Sequence, residues 1–228
     1  MNLKSILDSV LLESGIGTEV AYASAARDET KRLVNLANRA VQFMSGLHEW
    51  QVLRRTYTFS LTSETTYPLP SDFHSLVPDT TFATGSTDTI DMMTDPGLWG
   101  YLQAGAGASG PRYRFRILGD QFRVFDPVVG ELVRLEYLIN TPIQAADGTF
   151  KERFTADTDT CVFDDEAVIQ ETLWRYQRLV GLPSWQDVRG ESVAYLRALR
   201  GRESSAKSII GTEFSHEEPY TPLWVNNP

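Results

Sequence analysis

Residues 112–126 read Arg-Tyr-Arg-Phe-Arg-Ile-Leu-Gly-Asp-Gln-Phe-Arg-Val-Phe-Asp, which is the clearest β-hairpin pattern in the chain. Apolar and polar residues alternate on both sides of Gly119-Asp120, and glycine supplies the positive φ that a tight hairpin turn needs. This turn sets Ile117 opposite Phe122, and Phe115 opposite Val124. The same register places three arginines together on the other face of the hairpin: Arg114, Arg116 and Arg123.

Further strands are predicted on both sides of this hairpin. Residues 55–61 alternate polar and apolar side chains, as a half-buried strand does, and residues 132–139 form another strand. We expect the two prolines of residues 67–70 to stop regular strand pairing. Within the same region, a short helix is predicted from Asp95, and the Ala/Gly-rich residues 104–110 have the composition of a flexible linker. Residues 51–163 are therefore predicted to form a central antiparallel β insertion.

Helical patterns lie at both ends of the chain. Residues 3–11 carry apolar side chains at helical spacing, and residues 28–47 follow the 3.6-residue period more strongly, with Asp28 as a candidate N-cap. After the β region, Asp164 or Asp165 is expected to cap a helix whose apolar positions are Ile169, Leu173, Tyr176 and Val180. Gly181 suits the end of that helix. Ser184 with Asp187 resembles a capping box for a last helix.

The predicted fold class is α+β. Residues 1–50 and 164–207 form a discontinuous helical domain, residues 51–163 form the β domain, and residues 208–228 form an extended C-terminal tail. We expect the two helical ends to pack together, because neither has enough apolar surface to be stable alone.

The charge of the chain excludes one broad class of protein. The 228 residues carry 21 Lys and Arg against 30 Asp and Glu, a formal net charge of −9. A protein whose whole surface binds nucleic acid needs clustered cations, so that class is excluded. Of the cations, 17 are Arg and only four are Lys. Arg is suited to planar, bidentate contacts at interfaces, so this bias indicates assembly with other protein surfaces.

Residue types that carry catalysis or bind metals are sparse. Cys161 is the only cysteine, so no intramolecular disulfide and no cysteine zinc site can form. His48, His74 and His216 have no second ligand at metal-binding spacing, and the nucleophile-elbow and phosphate-loop motifs are missing. We therefore expect no metal, no cofactor and no catalytic residue. We also expect a soluble protein, with neither a signal peptide nor a membrane span.

The acidic stretch 157–165 does not match a calcium-binding loop. An EF-hand loop starting at Asp157 would need Gly and Glu where Val162 and Val168 stand, so the motif fails at both positions. The acids are therefore interpreted as strand-end and helix-capping residues. An acidic pair for glycoside hydrolysis stays open among 30 carboxylates.

Two groups of arginines are candidate interface residues. Three readings stay open for the hairpin arginines: a solvated face, a contact to an acidic surface on a neighbouring subunit or partner, or direct contact with DNA. The last helix is locally net positive by two and carries Arg197 and Arg200. A solvated helix face is the alternative there.

The predicted tail carries four large apolar residues: Phe214, Tyr220, Leu223 and Trp224. In a lone monomer such a cluster would be exposed, which soluble proteins usually avoid. The tail therefore either folds back on its own domain or docks on another chain, by adding a strand or by filling pockets with aromatic side chains.

Several strings, in their order along the chain, resemble the head-to-tail adaptor proteins of tailed bacteriophages, and most closely the tail tubular protein A type of short-tailed phages. A helix ending at a tryptophan is followed by a Leu-x-Arg strand, a Tyr-x-Leu-Pro-x-Asp-Phe turn and a Pro-Asp-Thr step. The hairpin and Leu-Glu-Tyr follow. The matching strings are residues 36–40, 49–55, 66–73, 76–80, 113–117, 125–127 and 135–137. The tail after about residue 208 matches no such motif.

The resemblance implies a structural role. Such proteins form a ring, of twelve copies by this resemblance, between the portal of the phage head and the tail or nozzle protein, and genome DNA passes through the lumen. The protein would be made in the host cytoplasm and would reside in the virion at the head–tail junction. The resemblance implies no catalysis and no membrane partner. An acidic lumen would repel phosphate and keep the genome mobile, so we expect a net negative lumen face.

Two other classes of function stay open from the sequence. The first is a stand-alone receptor- or carbohydrate-binding β module with helical support, although such a module would be expected to be mostly β. The second is an enzyme that uses an acidic pair.

Overall fold

Five α-helices and eleven β-strands form the described part of the chain in the computed structural model. That part comprises residues 1–19, 21–25, 27–83, 90–104 and 114–212, with residues 204–212 described by their backbone alone. The helices are α1 (Leu3–Glu13), α2 (Asp28–Leu47), α3 (Pro96–Gln103), α4 (Asp165–Val180) and α5 (Trp185–Thr212). The strands are β1 (Arg54–Ser60), β2 (Thr66–Pro68), β3 (Phe73–Leu76), β4 (Phe82–Ala83), β5 (Asp91–Met92), β6 (Arg114–Leu118), β7 (Gln121–Phe125), β8 (Leu132–Ile139), β9 (Ile143–Gln144), β10 (Phe150–Lys151) and β11 (Thr160–Cys161).

The two helical ends of the chain pack together, as predicted. Both α1 and α2 pack against α4, and α4 packs against α5. All five apolar residues that predicted α1 are buried: Leu3, Ile6, Leu7, Val10 and Leu11. The arrangement confirms an α+β fold in which helices from both termini flank a β region.

The helix ends agree with the sequence in part. Asp164 caps α4 by accepting a hydrogen bond from the Ala167 N–H, and Gly181 ends that helix at φ 83°. The α2 helix begins at Asp28 itself, so this residue lies in the first turn, where its charge favours the helix dipole, and is not the N-cap. The Ser184 side chain does not form the predicted capping box, because its hydroxyl instead donates a hydrogen bond to Gln177 Oε1 at 3.1 Å.

Two larger sheets and one small sheet form the β region. The first has the order β1-β8-β3, with β4 also paired to β8. The second has the order β2-β7-β6-β5 and contains the predicted hairpin. Its register sets Ile117 opposite Phe122 and Phe115 opposite Val124, which confirms the register read from Gly119-Asp120. The small sheet has the order β10-β9-β11.

Two features of the second sheet correct the sequence interpretation. Residues 66–68 form β2 and pair with β7, although we expected the prolines to stop pairing there. Pro68 is tolerated because β2 is an edge strand, where a missing N–H leaves no ladder bond unmade. In addition, β5 and β6 run parallel, so the central region is mixed and not purely antiparallel.

A continuous hydrophobic core joins α1, α2, α4 and α5 to the two larger sheets. Phe115 and Phe122 stack with ring centroids 4.5 Å apart, and Phe59 from β1 meets Phe122 edge-on at 5.3 Å. On the helical side, Trp50 meets Phe163 edge-on at 5.7 Å and donates its indole N–H to the Met44 carbonyl at 2.6 Å. The apolar face of the hairpin is therefore buried, and its arginine face points away from this core.

The α5 helix runs to Thr212, past the predicted boundary at residue 207. Residues 184–218 contain no proline, so no residue of that type stops the helix where its apolar period fades. The predicted tail residues Phe214, Tyr220, Leu223 and Trp224 lie outside the described residues. Of the helices in the described ranges, none has the length and hydrophobicity needed to cross a bilayer.

Candidate interaction surfaces

The hairpin places its three predicted arginines on one face. Arg116 lies directly opposite Arg123, and Arg114 lies opposite Phe125. All three arginines are half-buried. Like charges directly opposite each other destabilise a sheet, so this face carries unfavourable electrostatic free energy that an acidic partner would relieve.

The short helix α3 covers part of this arginine face. The short helix predicted from Asp95 forms as α3, and Asp95 caps it by accepting a hydrogen bond from the Gly97 N–H at 2.7 Å. Trp99 and Leu102 of α3 pack with Met93 and Phe125, and Phe125 shares the face of Arg123. A cleft of about 510 Å³ lies between α3 and β7, with Arg123 in its wall. Arg123 therefore lines the edge of a groove.

Within the described residues, the three hairpin arginines form no ion pair with Asp or Glu. Arg123 Nη2 donates to Gln121 Oε1 at 3.1 Å, whereas its Nε is shielded from solvent without a hydrogen-bond partner among those residues. A shielded donor without an acceptor costs about 1–3 kcal/mol. The groove therefore has donor capacity for a carboxylate or another acceptor from outside.

The predicted arginines of the last helix lie on a different element. Arg197 and Arg200 are exposed on α5, whose buried residues Ser192 and Leu196 face the protein interior. The geometry therefore groups the hairpin arginines with one another and places the α5 arginines on the helical part.

The acidic stretch 157–165 is structural. Asp157 accepts hydrogen bonds from the N–H groups of Tyr22 and Ala23, and Asp159 is buried beside Lys151. Together with the cap formed by Asp164, these contacts agree with the interpretation of the stretch as strand-end and capping acids.

No site for metal or thiol chemistry emerges from the described ranges. Among their residues, no group of three or more His, Cys, Asp and Glu side chains could hold a metal ion. Burial raises the pKa of Cys161 to about 12, so the thiol stays protonated and a poor nucleophile at neutral pH.

A further surface, which the sequence reading missed, lies between α2 and α4. We call it the arginine–tryptophan groove; it has a volume of about 440 Å³. Its lining residues are Leu36, Arg39, Trp174, Arg175, Arg178 and Leu179. Beside it, Phe43 is 47% exposed, and the Arg175 guanidinium lies 5.2 Å from the Phe43 ring and 4.3 Å from the Trp174 ring.

The groove is held in place by a buried carboxylate. Glu171 is 2% exposed and accepts hydrogen bonds from Arg175 and, across to α5, from the Ser192 hydroxyl at 2.5 Å. From the α5 side, Arg189 lies over the Trp174 ring at 5.6 Å. The arginine and aromatic side chains are thus arranged by packing and hydrogen bonding before any partner binds.

Part of the signal for this groove was present in the sequence. Trp174 and Arg178, and likewise Arg175 and Leu179, are four residues apart and so neighbour each other on one helix. The apolar pattern instead assigned Val180 to the core, but Val180 is the last residue of α4 and is 51% exposed. Sequence spacing could not show that α2 lies alongside.

Comparison with known proteins gives a match to one family model. A family model described as SU10 adaptor protein matches residues 1–209. No curated protein matches the chain.

Proposed function

The chain belongs to the SU10 adaptor protein family of bacteriophage structural proteins, and from this premise we propose a head-to-tail adaptor of the tail tubular protein A type. In this role, copies of the chain form a ring, of twelve by the resemblance. The ring joins the portal to the tail or nozzle protein, at the head–tail junction of the virion. The family match supports this proposal across the helical and β parts alike, because it covers residues 1–209.

The observation that carries the proposal is the presence of two oppositely charged surfaces on different elements. The hairpin presents Arg114, Arg116 and Arg123. On the helical part, Glu13, Glu166 and Glu191 are exposed. Partial desolvation of the Glu13 carboxyl, and then repulsion from the other two carboxylates, raise the pKa of Glu13. A closed ring needs two different complementary faces on each subunit, and such a pair of surfaces is suited to that contact.

The role in genome passage follows from the charge of the chain. A net charge of −9 per copy, repeated around a ring, would repel phosphate and leave the DNA mobile. We therefore infer a net negative lumen face that contacts DNA without specific binding. As the resemblance implies, we propose no catalytic role. An assembled structure with arginines along the whole lumen would contradict this charge assignment.

The test is assembly on the purified portal, followed by sedimentation velocity. The wild-type chain is expected to form a defined complex with portal. The variant R114E/R116E/R123E is expected to stay folded by circular dichroism and to lose that complex, because the reversed charges repel an acidic partner.

The matched control is R32E/R134E/R153E, which reverses the same charge at three exposed arginines outside the hairpin. It is expected to assemble as the wild type does. Unchanged assembly of the hairpin variant would refute the contact assigned to the hairpin. If the wild-type chain does not bind portal but binds a receptor or a glycan, the result would instead support the function of a stand-alone β module.

A further inference from the structure

We propose that the arginine–tryptophan groove receives the C-terminal segment 213–228 of a neighbouring copy of the chain. The proposal rests on the ring assembly proposed above and names a contact between adjacent copies within it. It gives the tail a specific docking site, in contrast to the portal surface or the tail's own domain.

The groove offers cations and aromatic surface together. Arg39 and Arg178 are exposed, and Arg175 lies between the Phe43 and Trp174 rings. Trp174 Nε1 is shielded from solvent and has no hydrogen-bond partner among the described residues. A buried donor without an acceptor is unfavourable, so the groove is suited to a ligand that brings both apolar groups and acceptors.

The composition of the C-terminal segment matches those requirements. Residues 213–228 contain three acids, Glu213, Glu217 and Glu218, and neither Lys nor Arg. The same segment contains the large apolar residues Phe214, Tyr220, Leu223 and Trp224. Aromatic anchors combined with carboxylates that pair with arginine are typical of peptide segments that bind preformed grooves.

The geometry of α5 favours a neighbouring copy over the chain's own tail. Arg189 lies over Trp174, and from that level α5 continues without interruption to Thr212. These residues carry the end of the helix about 35 Å away from the groove, at 1.5 Å per residue. Even fully extended, the chain from Thr212 to Tyr220 spans at most about 29 Å. Even at full extension, the Tyr220 backbone of a chain's own tail would end about 6 Å short of the level of Arg189, so the tail of a neighbouring copy is better placed to bring Glu217, Glu218 and Tyr220 to the groove.

Photo-cross-linking in the assembled complex tests the contact directly. One preparation is the full chain with Trp224→p-benzoylphenylalanine, at natural isotope abundance. It is mixed with the full wild-type chain labelled with ¹⁵N, and the mixture is assembled on portal. We expect mixed-isotope cross-links to residues 36–43 or 174–179 of the labelled chain. Cross-links only within one chain, or only to portal, would overturn the proposal.

A second measurement uses charge reversal outside the packed core. A fluorescent peptide of residues 208–228 is titrated into the full chain and into R39E/R178E. We expect the affinity to fall at least about tenfold in the variant, because two attractive charge contacts become repulsive. The control R134E/R153E makes the same change in charge at exposed sites outside the groove and should bind the peptide as the wild type does. Equal affinity for all three chains would refute the proposal.

The two proposals can fail separately. If the wild-type chain does not bind portal, the adaptor role is wrong, whereas specific peptide binding to the groove would still support the tail contact. If R39E/R178E binds portal and peptide as the wild type does, only the tail contact is wrong.

Discussion

At the scale of single residues, Asp159 shows how a buried charge is stabilised in this protein. It is 1% exposed and forms an ion pair with Lys151 Nζ at 2.8 Å. The backbone N–H groups of Thr155 and Ala156 each donate to Asp159 Oδ2 at 2.8 Å. Burial by itself would raise the pKa of Asp159, but the hydrogen bonds from Lys151, Thr155 and Ala156 lower it below its ordinary value. The ionised carboxylate therefore stabilises the folded state.

This lowered pKa predicts a pH-dependent cost for Asp159→Asn. At pH 7 the substitution should lower the free energy of unfolding by about 2–3 kcal/mol, because hydrogen bonds to a charged group are lost. The wild-type advantage is fully present above the unfolded pKa, about 3.9, and is lost as the pH falls through the lower folded pKa. Urea unfolding of both proteins between pH 7 and pH 3 measures this difference.

The control for this prediction is Asp187→Asn, which removes an exposed carboxylate in the first turn of α5. Its cost at pH 7 should stay below about 1 kcal/mol, because only a favourable helix-dipole interaction is lost. A difference between wild type and Asp159→Asn that does not shrink below pH 4 would contradict the ionised ion pair.

At the scale of elements, the turn that joins β6 to β7 depends on the backbone conformation of one residue. Gly119 has φ +61°, a region that side chains disfavour, and a Cβ there would meet nothing within 4 Å. Strain in the backbone, and not a steric clash, is therefore the cost of substitution. Gly46 in α2 also has open space around it and has no positive φ.

The same substitution should therefore have opposite effects in these two elements. We expect Gly119→Ala to lower the free energy of unfolding by about 1 kcal/mol, because alanine is disfavoured in the left-handed region. Gly46→Ala should raise it by about 0.5–1 kcal/mol, because alanine is the better helix former. Chemical denaturation measures both. A neutral Gly119→Ala would mean that the turn does not have the conformation described here.

At the scale of the whole molecule, the shared core predicts a single unfolding transition. Side chains of α1, α2, α4 and the two larger sheets belong to one continuous buried cluster, which Trp50 links by contacts with Met44 and Phe163. We expect far-ultraviolet circular dichroism and tryptophan fluorescence to give the same midpoint, and the calorimetric and van't Hoff enthalpies to agree. Two separated transitions would instead mean that the predicted helical and β domains unfold independently.

Local sequence patterns determined the hairpin, its register, the long strands and most helix bounds. The physical reason is that these features depend on contacts within a few residues: alternation at period two, apolar spacing at 3.6, and caps such as Asp164 and Gly181. The same local rules placed Arg114, Arg116 and Arg123 on one face. Their role at an interface stays a prediction, as do the roles of Arg197, Arg200 and the tail residues.

Only the tertiary structure decided which elements lie side by side. Pro68 could enter a strand because β2 became an edge of the second sheet, and β5 joined that sheet in parallel. The arginine–tryptophan groove combines Arg39 with Trp174 and Arg178, which are far apart in the chain. Such neighbours are set by the packing of α2, α4 and α5 around the core, a long-range balance of burial and shape that no short window of sequence contains.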